Sequence, residues 1–229
     1  MTTARVLSLE QLEEIAGEEC LTAMLSAFSC PLNKRVEEFI REKAIQSERL
    51  GSTVTYLAFS AKDEVLGFFT LVLKPFTVAN SGLSSRNRNL IRRFSELDEN
   101  LGTYTAALYL IAHLGKNFAL DESRRISGSE LLGLAFDVLR KARKLVGGKL
   151  VLIDRESDRP KLLDFYRANG FKSWNRRYSR KDAVEYDQML CVLKDEPPAG
   201  RLCPSDGGTA PLPAGAGEGH FYRGEPQGN

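Results

Sequence analysis

Apolar residues return every three or four positions between residues 9 and 26, the spacing of an amphipathic helix, and Gly17 interrupts the run. Residues 33–50 repeat the pattern: Val36, Phe39, Ile40 and Ala44 share one face with charges opposite, and Asn33 stands where an N-cap belongs. The period then changes. Residues 52–60 and 65–73 read as two strands joined by the turn 61–64, an antiparallel hairpin, and residues 4–8 as a short strand before the helices. Residues 80–94 are a polar loop leading into a short basic helix. Residues 104–114 (YTAALYLIAHL) are apolar on both faces, as a central strand requires. An amphipathic helix over 129–146, a buried strand over 149–154 and a helix over 159–169 follow, the last with Asp158 as N-cap, Pro160 in its first turn and Gly170 as its stop. Strands over 171–177 and 185–193 close the pattern.

Strand–helix–strand in the second half demands parallel pairing with a right-handed crossover, whereas the first half is antiparallel. The expected fold is therefore an α/β (α+β) mixed sheet with helices on both faces. Ligands of such sheets bind where connections diverge at strand carboxyl ends, which points to the ends of 104–114 and 149–154.

Composition refines this picture at one end of the chain. From Pro197 the sequence becomes rich in Pro, Gly and Ala and poor in large apolar residues, too little buried surface to offset the entropy of ordering. The expected division is a folded domain over 1–196 and a disordered tail over 197–229. Net charge is +2, but residues 195–229 carry five acidic and two basic side chains, leaving +5 on the rest. That permits an anionic ligand without demanding one. Cys20, Cys30, Cys191 and Cys203 fit no zinc spacing, so no metal is expected. The N-terminus lacks the apolar core of a signal peptide and no apolar run has the length of a membrane span, so no membrane association and a cytoplasmic location are expected.

The chemistry concentrates in Arg125-Ile126-Ser127-Gly128-Ser129-Glu130-Leu131. A small-residue turn before a helix offers free N–H groups and a positive dipole end, where phosphates bind. Ser127 and Glu130 equally fit an ordinary capping box. What adds weight is Asp164-Phe165-Tyr166-Arg167-Ala168-Asn169-Gly170-Phe171 some forty residues later. With LIAHLGK (110–116), RISGSELL (125–132), KLVLID (149–154) and LLDFYRANGF (162–171), the element order over about residues 4–194 resembles the GCN5-related N-acetyltransferase (GNAT) family.

That resemblance implies acetyl-CoA as co-substrate and an acyl-CoA N-acyltransferase activity. It implies splayed parallel strands at the cofactor site, with Leu114, Gly115 and Lys116 at the strand end that pairs with pantetheine. The amide of Leu114 would polarise the acetyl carbonyl. Residues Arg125, Ile126, Ser127, Gly128, Ser129, Glu130 and Leu131 would hold the pyrophosphate, and Tyr166 would donate a proton to the departing thiolate. Two departures stand out. Glu130 occupies a position where the family has Gly or Ala, and its carboxylate would repel pyrophosphate unless it folds back onto Ser127. Arg159 replaces a common Asn and either pairs with a CoA phosphate or starts a solvated helix. His113, Asp154 and Glu156 lie near the expected cleft; His113 reads first as a packed strand residue.

Phe28-Ser29-Cys30-Pro31-Leu32-Asn33, followed by Phe39-Ile40 and Ala44, resembles part of the pattern of toxin-type acetyltransferases of toxin–antitoxin pairs, which acetylate aminoacyl-tRNA. Pro31 and Asn33 depart from it. These residues equally suit a helical core. Arg86, Arg88, Arg92 and Arg93, and Arg176, Arg177, Arg180 and Lys181 beside Trp174, could meet a phosphate backbone, with Trp174 stacking on a base, or could be solvated charge. A protein amine, a small-molecule amine, a homodimeric assembly, and a binding or protein-interaction module without catalysis all remain open at this point.

Overall fold

A long antiparallel pair of strands anchors the sheet. In the computed structural model, which describes residues 4–180 and 183–195, β3 (Val65–Ala79) and β5 (Thr103–Lys116) pair from Gly67↔Lys116 to Ala79↔Thr103. The expected end of the first of these at residue 73 is six residues short. The sequence Lys74-Pro75 reads as a breaker, but β2 (Val54–Phe59) stops opposite Leu71, so beyond it β3 has a single neighbour. Proline is tolerated at such an edge.

Around this pair lie β1 (Arg5–Ser8), the short β4 (Leu97–Asp98), β6 (Leu150–Glu156), β7 (Lys172–Ser179) and β8 (Val184–Val192). The order is β1-β2-β3-β5-β6-β8-β7, with β4 pairing β5 off this path. β5 and β6 are the parallel neighbours; the other pairs are antiparallel. The sheet is mixed, as expected.

Helices α1 (Leu9–Ala16) and α2 (Glu18–Ser26) break at Gly17 as the pattern requires. The expected helix over 33–50 forms in three parts: α3 (Lys34–Glu38), a π-helical turn (Phe39–Lys43) and α4 (Ala44–Arg49). Asn33 caps it by accepting from the Val36 N–H at 3.3 Å. The Ala44 N–H donates to the Phe39 carbonyl five residues back, which makes the middle turn wide. Next come α5 (Ser85–Ile91), α6 (Gly128–Val146) and α7 (Pro160–Ala168). The N-cap of α7 is Arg159, not Asp158, and no side chain caps it. The helix starts at Pro160 itself, so the expected cap lies one residue too early.

Three apolar clusters hold the layers together. α6 and α7 cover one face through Leu131, Leu132, Ala135 and Leu139 against Phe69 and Ile111. On the opposite face α1–α4 pack Leu9, Leu21, Phe28, Phe39 and Ile40 on Phe68. Farther along that same face, α5 and its loop place Leu83 and Ile91 with Leu108, Leu152 and Trp174. Each fully buried Leu or Phe in these layers contributes roughly 1.5–3 kcal/mol. The expected tail, 197–229, lies outside the described residues, which end at Asp195.

Candidate active site

β5 and β6 pair only at Tyr109↔Val151, Leu110↔Leu152 and Ile111↔Ile153. Beyond Ile111, β5 continues on β3 to Lys116, while β6 continues on β8 to Glu156. Two parallel strands that were neighbours thus diverge, each keeping its outer partner. Alternate amides of a strand point to opposite sides, so along residues 112–116 part of the backbone has no strand to bond on the β6 side. The opening is a cleft of about 450 Å³, a size suited to a small-molecule site.

Several expected site residues meet in this cleft. Leu114, Gly115, Lys116, Gly128, Leu131, Arg159 and Tyr166 all line it, together with Cys30, Asn33, His113, Asp154 and Glu156. Gly115 is required by close packing: a Cβ there would lie 2.7 Å from both the Phe68 ring and a Val36 methyl. A Cβ on Gly128 would press on the Phe165 ring at 3.0 Å, so that turn also sits tight against α7.

The turn before α6 forms the capping box. The Ser127 N–H donates to Glu130 Oε2 at 3.0 Å, and the Glu130 N–H donates to Ser127 Oγ at 3.1 Å. Hydrogen bonding from the Ser127 side chain, and then from its backbone N–H, holds the Glu130 carboxyl below the usual carboxylate range. The Leu131 N–H donates to the Ser127 carbonyl at 3.1 Å. Among the described residues the amides of Gly128 and Ser129 have no such partner. Ile126 is buried in the α6 core. The Arg125 guanidinium donates to the carbonyl of Leu120 at 2.7 Å and lies over the Phe118 ring at 5.0 Å, fastening the long loop before the turn. Buried Asn117 fastens its other end, donating to the Val65 carbonyl and accepting from the Ser29 N–H.

Tyr166 packs edge-on against Phe165 at 4.9 Å and Phe171 at 5.6 Å. Desolvation pushes its phenol up to about 12. Among the described residues nothing hydrogen-bonds its hydroxyl. Arg159 donates to the Leu32 carbonyl at 2.6 Å and pairs through Nε with Glu156 at 2.8 Å. It ties the loop before α3 to the start of α7 across the cleft. Arg35 adds a second tie, to Glu156 at 3.6 Å and the Tyr186 hydroxyl at 2.6 Å.

Burial holds the His113 imidazole near 4, well below its ordinary 6.5, so it is neutral at pH 7. Burial also raises the Cys30 thiol.

Arg155, buried and lining the cleft, pairs with the largely buried Asp187 and also donates to the carbonyls of Glu156 and Arg159 at 3.0 Å. Neither carried a signal in the sequence: they are far apart along the chain, and register alone makes them partners.

The basic clusters divide. Trp174 is buried against Phe76 and is not available to stack on a base. Arg176 pairs with Asp187 at 3.0 Å, Arg177 with Asp154 at 2.8 Å, and Arg88 bonds the carbonyls of Asn80 and Leu83. Arg86, Arg92 and Arg93 are exposed without an ion pair among the described residues, and Arg180 is exposed. Lys181 lies outside the described residues. Among the described residues no group of His, Cys, Asp and Glu could hold a metal, and no helix is long and apolar enough to cross a membrane.

No protein-family model matches the sequence, and neither does any curated protein. Solved structures do share the fold. AtaT complexed with acetyl-methionyl-tRNAfMet is 16% identical, with a TM-score of 0.54 over 80% of this chain and 93% of its own. A bacterial toxin is 13% identical, with a TM-score of 0.57 over 84% and 92%. AtaTR bound with AcCoA is 16% identical, with a TM-score of 0.50 over 83% and 93%. At such identities the likeness concerns the fold, which is that of the GCN5-related N-acetyltransferases.

Proposed function

We propose that this protein is an acetyl-CoA-dependent N-acetyltransferase, its catalytic domain comprising residues 1–196, in which a bound amine attacks the thioester directly in a ternary complex. The observation that carries this reading is the divergence of β5 and β6 after Ile111 and Ile153, with Gly128 and Leu131 at the start of α6 and Tyr166 on the same cleft. Acetyl-CoA would lie with its pyrophosphate at the free amides of Gly128 and Ser129 in the turn 125–131 and its pantetheine along Leu114, Gly115 and Lys116. The Glu130 carboxylate, folded onto Ser127, does not project at that anion. A carboxylate projecting at the anion would instead favour a binding module without catalysis. Arg159 retains a second guanidinium nitrogen beside the cleft for a phosphate.

The amine nitrogen forms the new N–C bond at the thioester carbon and gives up its proton to water, the carbonyl oxygen takes up negative charge, and the C–S bond then breaks as the carbonyl re-forms, releasing thiolate. The Leu114 amide would stabilise the oxyanion, a contact often worth a few kcal/mol. With its phenol near 12, Tyr166 would hold the nascent thiolate by a hydrogen bond.

For the acceptor we favour the α-amino group of an aminoacyl-tRNA. Cys30, Leu32 and Asn33, from the stretch that resembles toxin-type acetyltransferases, face the cleft, and one structure of like fold holds acetyl-methionyl-tRNAfMet. Titration calorimetry with acetyl-CoA is the first test: affinity at or below tens of micromolar is expected, and no heat there would turn the reading toward a binding module or another acyl donor. Transfer of labelled acetyl to charged tRNA, against a protein amine and a small amine, then decides the acceptor.

A further inference from the structure

His113 occupies a place that two local irregularities create together. In the pairing of β5 with β3, Thr70 faces His113 and Leu71 faces Ile111, so Ala112 is an extra, bulged residue. Tyr109 and Ile111 point into the core beneath α6. Strict alternation would send His113 there too. The bulge reverses the phase, as bulges beside active sites do, and His113 points to the opposite face. There it stacks on Phe39, centroids 3.7 Å apart and planes at 11°. Phe39 begins the π-helical turn, an irregularity that concentrates at functional sites.

The imidazole is not merely packed. Its Nδ1 is buried and bonds to nothing. Its Nε2 also lacks a partner among the described residues but is not buried, and His113 lines the cleft. A dry lone pair is better tolerated than a dry N–H, so the proton belongs on Nε2. The neutral ring therefore presents one N–H donor to the cleft. It does so from the side of Cys30, Asn33 and Val36, whereas Tyr166 and the turn before α6 belong to the helices of the other face.

We propose that Nε2–H of His113 is a recognition contact for the acyl acceptor, donating a hydrogen bond to an oxygen beside the acceptor amine, as the ester carbonyl of an α-aminoacyl group provides. The proposal rests on the acetyltransferase reading above and assigns His113 to the acceptor half of the cleft.

The test uses the full chain with acetyl-CoA and methionyl-tRNA. His113→Phe keeps a ring to stack on Phe39 and removes the donor; KM for methionyl-tRNA should rise about tenfold, the upper range for a lost neutral hydrogen bond, with acetyl-CoA affinity unchanged. His113→Gln restores an N–H and should recover part of the loss. A His113→Phe enzyme with the wild-type KM overturns the assignment while leaving the acetyltransferase reading intact. A wild type that binds no acetyl-CoA overturns that reading, and one that binds it yet acetylates no aminoacyl-tRNA overturns the acceptor class. Nitrogen-15 NMR supplies a check independent of turnover and of the variants, since the chain has two histidines. The Nε2–H tautomer is expected for His113, and an Nδ1–H signal would overturn the donor role.

Discussion

Ser127 and Glu130 hold each other at the mouth of α6, each side chain accepting from the other's backbone N–H at 3.0 and 3.1 Å. The carboxylate that would repel a pyrophosphate is thereby turned onto its own helix end, and the amides of Gly128 and Ser129 keep no partner among the described residues. Glu130→Ala removes the negative charge and the reciprocal half of the capping box, while Ser127 Oγ still accepts from the backbone N–H of residue 130. Thermal denaturation should show a loss of about 1 kcal/mol. Calorimetry should show acetyl-CoA bound roughly twofold to fivefold tighter, the range of one charge at a helix N-terminus. Weaker binding would mean that the carboxylate helps to shape the site.

Gly115 leaves no room for a side chain between the two layers it separates. Gly115→Ala would press a methyl on Phe68 and Val36 at 2.7 Å, and overpacking of this kind costs about 1–3 kcal/mol. The melting temperature should fall by several degrees, and the cleft wall should shift with it, so acetyl-CoA affinity should drop in parallel. An unchanged melting temperature would show that Val36 yields without strain.

Tyr166 stays protonated until the pH approaches about 12. Its role as hydrogen-bond donor therefore predicts no alkaline loss of turnover from this group below about pH 10. Tyr166→Phe should lower kcat by roughly tenfold or more, the size of a lost hydrogen bond to a charged group, and leave acetyl-CoA affinity nearly intact, since the phenyl ring still packs between Phe165 and Phe171. An unaltered kcat in single-turnover measurements would remove Tyr166 from the mechanism.

His113 makes stability depend on pH with a definite sign. In the folded protein it takes a proton only near 4, against 6.5 for an unperturbed imidazole. Between these values the unfolded chain binds more protons, so stability rises with pH through this window and is complete above it. Acidifying from pH 7 to pH 4 should remove up to ~3 kcal/mol from this source. Urea unfolding at the two pH values checks it: the wild type should lose more stability than His113→Phe, and equal losses would mean the imidazole titrates normally.

The legible part of this protein is what depends on neighbours along the chain. Asn33 before Val36, Gly17 inside a helical run, and the Ser127–Glu130 spacing each act within one turn of backbone, so periodicity and residue chemistry placed them without a partner in view. The two-faced apolar run ending at Leu114 and the strand over 149–154 likewise marked the adjacent strand ends on which the site is built. What the tertiary structure alone decided is what depends on pairing. β5–β6 pairing ends at Ile111 and Ile153 because each strand stays with its outer neighbour, and no local pattern announces that divergence. The bulge at Ala112 exists only against β3, and it moves His113 from one face of the sheet to the other. Trp174 was as suited to a surface as to a core until Phe76 and α5 covered it. Arg155 met Asp187 through the register of β6 on β8. Hydrophobic period is a property of one segment; register, bulges and ion pairs are properties of two, and they fix which residues share the cleft.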